Sequence, residues 1–494
     1  MERCLMRKSG ILFPIFSLPS AYGIGGFSEE AYHFVDFLCE AGQAFWQILP
    51  LGQTSFGDSP YQAFSSFAGN PYFIDLVTLK NQGLLTEEDL TGAEIERGRE
   101  IPYETLFYTR RNLLFKAYRA FKKQGGETSQ GYQAFVEGEA DWLRDYCLFM
   151  TLKDLHGGLS WNHFAEVYKK RDEKALTNLE AVQKDNVGFY RFIQYAFACE
   201  WRKLKAYAGE KGIEIIGDIP IYVAYDSADV WAHPDLFELD KDGLPKRVAG
   251  CPPDGFSADG QLWGNPLYDW ARHQNQGYAW WKRRIEKSLE NYDIVRIDHF
   301  RGIASYYAIP YGERTAKNGV WEKGPGVSFV NALNDAFGHS RFIAEDLGFL
   351  TQDVKELLKA SGYPGMKILQ FAFDAREESD YLPHNYERHT VCYTGTHDND
   401  TTASWLEKMP ETDRAFLEVY MHKKDITPLD LVAMAQRSVA DMCIIPLQDY
   451  LCLGERARIN TPSTLGGNWN FILKDESYRK CAADVKKLTK ACGR

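Results

Sequence analysis

Three acidic residues, each at the end of a short apolar run, carry the chemistry open to this chain: Asp298 in Arg296-Ile-Asp-His-Phe-Arg-Gly302, Glu345 in Ile343-Ala-Glu-Asp-Leu-Gly348, and Asp398 in Gly395-Thr-His-Asp-Asn-Asp400. Carboxylates delivered together suit glycosyl transfer. Retention needs one as nucleophile and a second as acid and then base, about 5 to 5.5 Å apart across the anomeric carbon. Arg296 precedes Asp298 by two residues, so both side chains share one strand face, and a neighbouring guanidinium keeps a nucleophilic carboxylate ionised. Glu345 has an apolar approach and an adjacent acid, Asp346, both of which raise a pKa toward that of a general acid. Asp398, after Thr396 and His397, is suited to clamp sugar hydroxyls. Asp218, in Ile216-Gly-Asp-Ile-Pro-Ile-Tyr222, is a fourth acid at a strand terminus.

Taken singly, each acid has a plainer reading. Arg296 and Asp298 make a structural ion pair at a strand end, Glu345 and Asp346 a helix cap or surface pair, and Asp218 a turn aspartate before Pro220. The run from His397 to Asp400 also offers hard oxygen ligands and an imidazole to a metal. The metal reading ranks below the sugar reading because no second His/Asp/Glu group shows ligand spacing. Gly23-Ile-Gly25-Gly26 lacks a preceding strand and a complete GxGxxG, which excludes a nucleotide loop.

The elements that must position these acids are short apolar runs bounded by Gly, Pro or Asp, as buried parallel strands are. Tyr292 to Ile297, Ser340 to Ala344 and His389 to Tyr393 lead into the three acids; Ala44 to Leu51, Ile213 to Ile219, Met366 to Phe373 and Met442 to Leu447 are of the same kind. Helical patterns over Ser28 to Ala41, Tyr278 to Asn291, Val327 to Phe337 and Thr351 to Ser361 alternate with them. The alternation predicts a (β/α)8 TIM barrel, with the acids on the C-terminal rim where barrel chemistry takes place. Two stretches interrupt it. Residues 77–211 carry helical, charge-laced patterns, with Leu113, Leu114, Ala117, Tyr118 and Phe121 at helical spacing, and read as an inserted helical subdomain. Residues 226–270, rich in Gly, Pro, Asp and Trp without a sustained period, read as a lid or binding loop.

A chain of 494 residues fits one barrel with elaborations, and 45% hydrophobic with 25% charged residues excludes disorder. Twelve Trp, 28 Tyr and 30 Phe supply flat amphipathic rings, which stack on sugars as well as fill cores. The net charge of −11 and the lack of a basic run argue against a nucleic-acid partner. The N-terminal segment is a poor signal peptide and no apolar run is long enough to span a membrane, so a cytoplasmic location is the default. Ten scattered cysteines without a CxxC pair indicate neither a zinc site nor a disulfide scaffold. Most sit among apolar neighbours; Cys251, in a Pro/Gly-rich loop, is the one expected to be exposed.

Together the clusters resemble the 4-α-glucanotransferases of the amylomaltase type, glycoside hydrolase family 77. The likeness runs nearly end to end. Besides the acids it includes Phe45-Trp-Gln-Ile-Leu-Pro-Leu-Gly52, Asp58-Ser-Pro-Tyr-Gln62, Gly69-Asn-Pro-Tyr72, Cys251-Pro-Pro-Asp254, Gly264-Asn-Pro-Leu-Tyr268 and Asn460-Thr-Pro-Ser-Thr-Leu-Gly-Gly-Asn-Trp469. The resemblance implies Asp298 as nucleophile, Glu345 as acid/base and Asp398 as transition-state stabiliser, after the fourth, fifth and seventh barrel strands. It implies a donor subsite lined by Tyr61, Asp218, Arg296 and His397, and acceptor-side contacts from His299, Trp263 and Asn468. It also implies a lid at Asp254 and Phe256, α-1,4-glucans as substrates, no cofactor or metal, and no C-terminal β-domain.

Two positions depart from the family pattern. Gly255 stands where some members carry a bulky aromatic, leaving Phe256 to cover the glucan. Phe56 replaces a tyrosine that pairs, in some members, with a residue resembling Tyr103 to form a secondary groove. The rivals to transfer are a hydrolytic α-glucanase using the same carboxylates and, from another class, a catalytically inactive glycan-binding barrel. Water exclusion separates the first from transfer; three intact acids argue against the second.

Overall fold

Eight short parallel strands close on themselves: β1 Lys8–Leu12, β2 Phe45–Gln47, β3 Glu214–Ile219, β4 Ile294–Ile297, β5 Phe342–Ala344, β6 Gly365–Ile368, β7 Thr390–Tyr393 and β8 Met442–Pro446. The computed structural model describes residues 7–54, 57–95, 98, 100–253, 257–348, 350–464 and 466–494. Each strand pairs in parallel with the next from β1 through β5 and from β6 through β8, and β8 pairs with β1 in the register Lys8 to Met442. The gap between β5 and β6 is bridged by the Ala344 amide, which donates to Pro364 O at 3.0 Å. The result is a (β/α)8 barrel.

Side chains alternate across this wall, as the pleat requires. Leu12, Phe45, Ile216, Ile343, Met366, Ile368, Val391, Tyr393 and Ile444 form one fully buried cluster inside. Ile11, Trp46, Ile215, Val295, Ile297, Cys392 and Cys443 face outward into a second, larger core beneath the helices. The outer layer begins with α1, Glu29–Glu40, which buries Ala31, Phe34, Val35, Phe37 and Leu38 at helical spacing and carries Glu29 and Glu30 in its first turn, where the helix dipole favours negative charge.

The strand at Lys8–Leu12 is not among the runs legible in the sequence, because Pro14 cuts its apolar stretch short. Between β2 and β3 the described residues form helices and turns and no strand; the longest are α2, Tyr103–Lys123, and α3, Lys184–Glu210. Helix α3 lies against the barrel's flank: Tyr207 donates to Asp36 on α1 at 2.7 Å, and the Trp201 indole donates to Asn291 O at 3.2 Å. Asn291 ends α4, Ala279–Asn291; α5, Val327–Phe337, α6, Gln352–Ser361, and α7, Pro428–Arg437, continue the outer layer.

Within residues 226–270 the structure holds two strands, Arg247–Cys251 and Gln261–Pro266, where the sequence has no period. They join Ser305–Pro310 and Val320–Lys323 in a four-stranded antiparallel sheet. Besides Gln261–Pro266, Arg247–Cys251 pairs with Ser305–Pro310, some sixty residues downstream, and local patterning does not announce that second pairing. No strand follows β8 among the described residues. Among them, too, no helix is long and apolar enough to cross a membrane. Cys251 is half-buried, whereas Cys39 and Cys452 are the exposed thiols.

The barrel's interior leaves no slack at Gly10. A Cβ there would lie 2.5 Å from the Phe45 Cβ and 2.8 Å from the Ile444 Cδ1. Replacing Gly10 with Ala is therefore expected to overpack the β1–β2–β8 contact and destabilise the fold by about 1–3 kcal/mol, read as a lowered urea midpoint.

Candidate active site

The inward parity that packs the barrel also loads its rim. Ile216 and then Asp218 point inward from β3, Ile294, Arg296 and then Asp298 from β4, and Ile343 and then Glu345 from β5. Arg296, 1% exposed, lies at the centre of these acids. Its Nη1 donates to Asp218 Oδ2 at 2.5 Å and to Asp298 Oδ1 at 3.0 Å, while Nη2 lies 3.4 Å from Glu345 Oε2. Tyr61 OH donates to the same Asp218 Oδ2 at 2.8 Å. The same-face expectation for Arg296 and Asp298 holds.

Backbone hydrogen bonds carry the ladder past the strand ends. Asp298 N–H donates to Ile219 O at 3.0 Å and Glu345 N–H to Ile297 O at 3.1 Å. His299 then takes a left-handed φ of 47°, a conformation uncommon outside glycine. That turn sends the His299 amide to Glu345 Oε2 and the Phe300 amide to Glu345 O at 3.0 Å.

Three carboxylates around one cation cannot all ionise cheaply away from water. Burial, and then the charge of Glu345, push Asp298 well above the ordinary carboxylate range, against the pull of Arg296. Burial works in the same direction on Glu345, but Arg296, a hydrogen bond with Asp298 and the His299 amide outweigh it and hold Glu345 below its usual value. This differs from the expectation that Asp346 would raise Glu345. Asp346 turns away, accepting from the Met366 amide at 2.6 Å, and burial raises its own carboxyl to about 6. Enclosure drives His299 down to about 4, leaving it neutral near pH 7.

Asp398 follows β7 on a loop anchored from below: Asp449 accepts from Thr394 Oγ1 at 2.5 Å and from the Thr402 amide at 2.8 Å. Its Oδ1 lies 3.3 Å from His397 Nε2. His397 stacks on Tyr61, ring centroids 5.2 Å apart, and Trp469 closes the group at 5.6 Å from Tyr61 and 5.8 Å from His397. On the other side, Trp263 meets His299 edge-on at 4.9 Å. Tyr61, Asp218, Arg296, Asp298, Glu345, His397, Asp398, His299 and Trp263 are thus linked by direct contacts into one rim.

Asn468 is not turned into that rim: its side chain accepts from the Thr461 amide at 2.9 Å and donates to Thr464, closing its own loop. Asp254, Gly255, Phe256 and Phe56 lie outside the described residues. Tyr103 OH donates to Trp469 O at 2.8 Å. Among the described residues no three His, Cys, Asp or Glu side chains are grouped to hold a metal ion.

Several contacts escape a reading from sequence. Asn460 donates to Asp398 Oδ1 at 2.6 Å, Arg458 to Asp398 O at 2.9 Å, and Tyr393 OH to Gln47 Oε1 at 2.8 Å below the acids. Asn460 and Trp469 bracket a motif visible in the sequence, yet nothing in that motif says which of its residues reaches the acid.

A (β/α)8 barrel with carboxylates gathered on a buried arginine at its C-terminal rim is an arrangement that suits a carboxylate-driven glycoside-processing enzyme. A sequence profile described as 4-alpha-glucanotransferase, glycoside hydrolase family 77, matches residues 13–476. The chain is 46% identical over 486 residues to the 4-alpha-glucanotransferase of Clostridium butyricum, covering 97% of this chain and 99% of the relative. It is 45% identical over 501 residues to that of Thermus thermophilus, covering 99% of each. The amylomaltase of Streptococcus agalactiae, solved in complex with acarbose, matches the fold with a TM-score of 0.95 at 39% identity over 99% of both chains. The chain belongs to the 4-alpha-glucanotransferase family and is an enzyme of that class.

The raised Asp346 carboxyl sets a pH signature. Its folded value of about 6 exceeds the unfolded 3.8, so the folded state keeps a proton that the unfolded chain releases, and stability falls as pH rises through that window. Asp346→Asn retains an acceptor for the Met366 amide and does not ionise. Its stability relative to the parent is expected to grow by about 3 kcal/mol between about pH 3 and 7, with a limiting slope of about 1.4 kcal/mol per unit, and to level off above, as read by urea titration across pH.

Proposed function

We propose that this enzyme transfers α-1,4-glucan segments from a donor maltodextrin to the 4-hydroxyl of another glucan or of glucose by a retaining double displacement. Asp298 is the nucleophile, Glu345 the acid/base and Asp398 the stabiliser of the oxocarbenium-like transition state. The observation that carries this reading is the single Arg296 guanidinium facing Asp218, Asp298 and Glu345 at 2.5, 3.0 and 3.4 Å. It brings a nucleophile and an acid together on one buried cation.

In the first half-reaction Glu345 gives its proton to the glycosidic oxygen, the C1–O bond breaks, and Asp298 bonds C1. The reducing-end fragment leaves bearing its new 4-hydroxyl. In the second, the acceptor's 4-hydroxyl loses its proton to Glu345 and attacks C1, and the Asp298–C1 bond breaks. Two inversions leave the α configuration unchanged. Every proton is accounted for by the two carboxyls and the two sugars, so the sequence of steps calls for no cofactor or metal.

The donor glucose has matching partners. Asp218 Oδ1 and His397 Nδ1 are buried without a hydrogen-bond partner, and unsatisfied buried polar atoms are expensive. Sugar hydroxyls meet that need, with Tyr61 and Arg296 fixing the Asp218 carboxylate. Trp263 and the neutral His299 give the acceptor a flat apolar edge and an imidazole. Asp254 and Phe256 are assigned as the lid that favours sugar over water. A cytoplasmic enzyme acting on maltodextrins accords with the nine described cysteines, none of which forms a disulfide.

Incubation with maltotriose tests the reading. Glucose together with maltodextrins longer than the input is the expected outcome; only shorter sugars would mean hydrolysis, and no change a binding protein. Asp298→Asn is expected to lower turnover on the order of 10⁴-fold or more with the fold intact by circular dichroism; substantial remaining transfer would overturn the assignment of the nucleophile.

A further inference from the structure

Asp398 differs from the other acids of the rim in how it is held. Asp218 is fully buried, and Asp298 and Glu345 lie on Arg296, whereas the Asp398 side chain is 40% exposed. Packing therefore does little to fix its rotamer. Both of its carboxylate contacts fall on one oxygen: Oδ1 accepts from Asn460 Nδ2 at 2.6 Å and lies 3.3 Å from His397 Nε2. That leaves Oδ2 open among the described residues.

Asn460 is itself held through its backbone by His397 and Arg458. Its amide N–H donates to His397 O at 3.1 Å, and its carbonyl accepts from Arg458 Nε at 2.8 Å. Arg458 Nη2 donates in turn to Asp398 O at 2.9 Å. These bonds and the one to Oδ1 close a ring between residues 397–398 and residues 458–460. Beyond it, Trp469 N–H donates to Ile459 O at 2.7 Å, so the ring is continuous with the loop that carries Trp469 against Tyr61 and His397. A side-chain amide in this position does what a lysine or arginine could not: it orients one carboxylate oxygen without neutralising the charge on the other.

We infer that Asn460 is a positioning residue for the transfer reaction, fixing the Asp398 carboxylate so that Oδ2 meets the hydroxyls of the donor glucose, with Arg458 holding Asn460 and the Asp398 backbone in register. The inference rests on the role proposed above for Asp398. Bonds to sugar hydroxyls that strengthen in the transition state act on kcat, and loss of alignment of this kind reduces rate on the order of 10²-fold.

Asn460→Asp is the informative variant. It sets a second carboxylate against Asp398 Oδ1, among charged and titratable neighbours His397, Arg458, Asp400 and Tyr61. Near neutral pH the two carboxylates repel and Asp398 turns from its orientation; at low pH a shared proton restores the bond. Maltotriose disproportionation is measured from pH 4 to 8 for the parent, Asn460→Asp, Asn460→Ala and Asp398→Asn, with circular dichroism on the same samples. The expected result is a kcat for Asn460→Asp on the order of 10²-fold below the parent at pH 7. Its ratio to the parent recovers reversibly toward pH 4, while the circular dichroism spectrum and the KM for acceptor glucose stay unchanged. Asn460→Ala loses the same factor at every pH.

A pH-independent ratio near one for Asn460→Asp, with Asp398→Asn inactive, overturns the positioning role alone. Full activity in Asp398→Asn overturns the role of Asp398 and this inference with it. If Asn460→Ala does not fold, the reversible pH response of folded Asn460→Asp decides the question, since a residue that merely ties the loop together would not make kcat follow a carboxyl titration.

Discussion

A fully buried guanidinium facing three carboxylates is the constraint on which the rest of this structure depends. Removing any one of these ions from water is costly, and Arg296 is tolerated inside the barrel because Asp218, Asp298 and Glu345 surround it. The acids need it as much: without the cation, fewer of the three carboxyls could ionise within reach of one another. Each acid comes from, or just beyond, a different strand end, so the ends of β3, β4 and β5 must be held level. The backbone bonds Asp298 to Ile219 and Glu345 to Ile297 do this, and the left-handed His299 places an amide on Glu345 that a straight continuation of the strand would direct elsewhere.

The barrel interior supplies the medium in which this charge cluster works. Below the acids, Tyr393 and Gln47 form one hydrogen-bonded layer, and below that Leu12, Phe45, Ile216, Met366 and Ile444 fill the bore. Water is thus excluded from the underside, and the electrostatic interactions above act in a medium less screening than bulk solvent. The upper side is different. Asp398 is partly exposed and held by a loop, which suits an acid that must meet a substrate entering from solvent.

Much of the core of this design is legible in the sequence, because it follows from periodicity. Seven barrel strands and the helices at 29–40, 279–291, 327–337 and 352–361 announce themselves through short apolar runs and helical spacing. The pairing of Arg296 with Asp298 follows from the two-residue strand repeat. What escapes is set by tertiary partners. The strand at Lys8–Leu12 is a strand because Met442–Pro446 and Phe45–Gln47 flank it, and the strand at 247–251 sits between 261–266 and the distant 305–310. The contact of Asn460 with Asp398 spans 62 positions. The expectation for Glu345 failed for a related reason: its sequence neighbour Asp346 faces the Met366 amide, and its spatial neighbours are Arg296 and the His299 amide.

The opposed shifts of the two carboxyls connect the geometry to the proposed mechanism. Burial and then the charge of Glu345 raise Asp298. At Glu345 burial is outweighed by Arg296, the Asp298 hydrogen bond and the His299 amide together, which lower it, the reverse of the order a nucleophile and an acid require. Part of that opposition comes from the hydrogen bond between the two carboxyls. In the proposed mechanism the reacting glucose lies between them, which replaces that bond and sets the charge of Glu345 farther from Asp298. Asp298 keeps its 3.0 Å contact with Arg296, the closer of the two guanidinium contacts, which favours its anion. Glu345 keeps its burial, which favours its acid, but no longer has the Asp298 hydrogen bond that helped hold it down. The bound sugar, rather than the side chains alone, is then what separates the acid from the nucleophile.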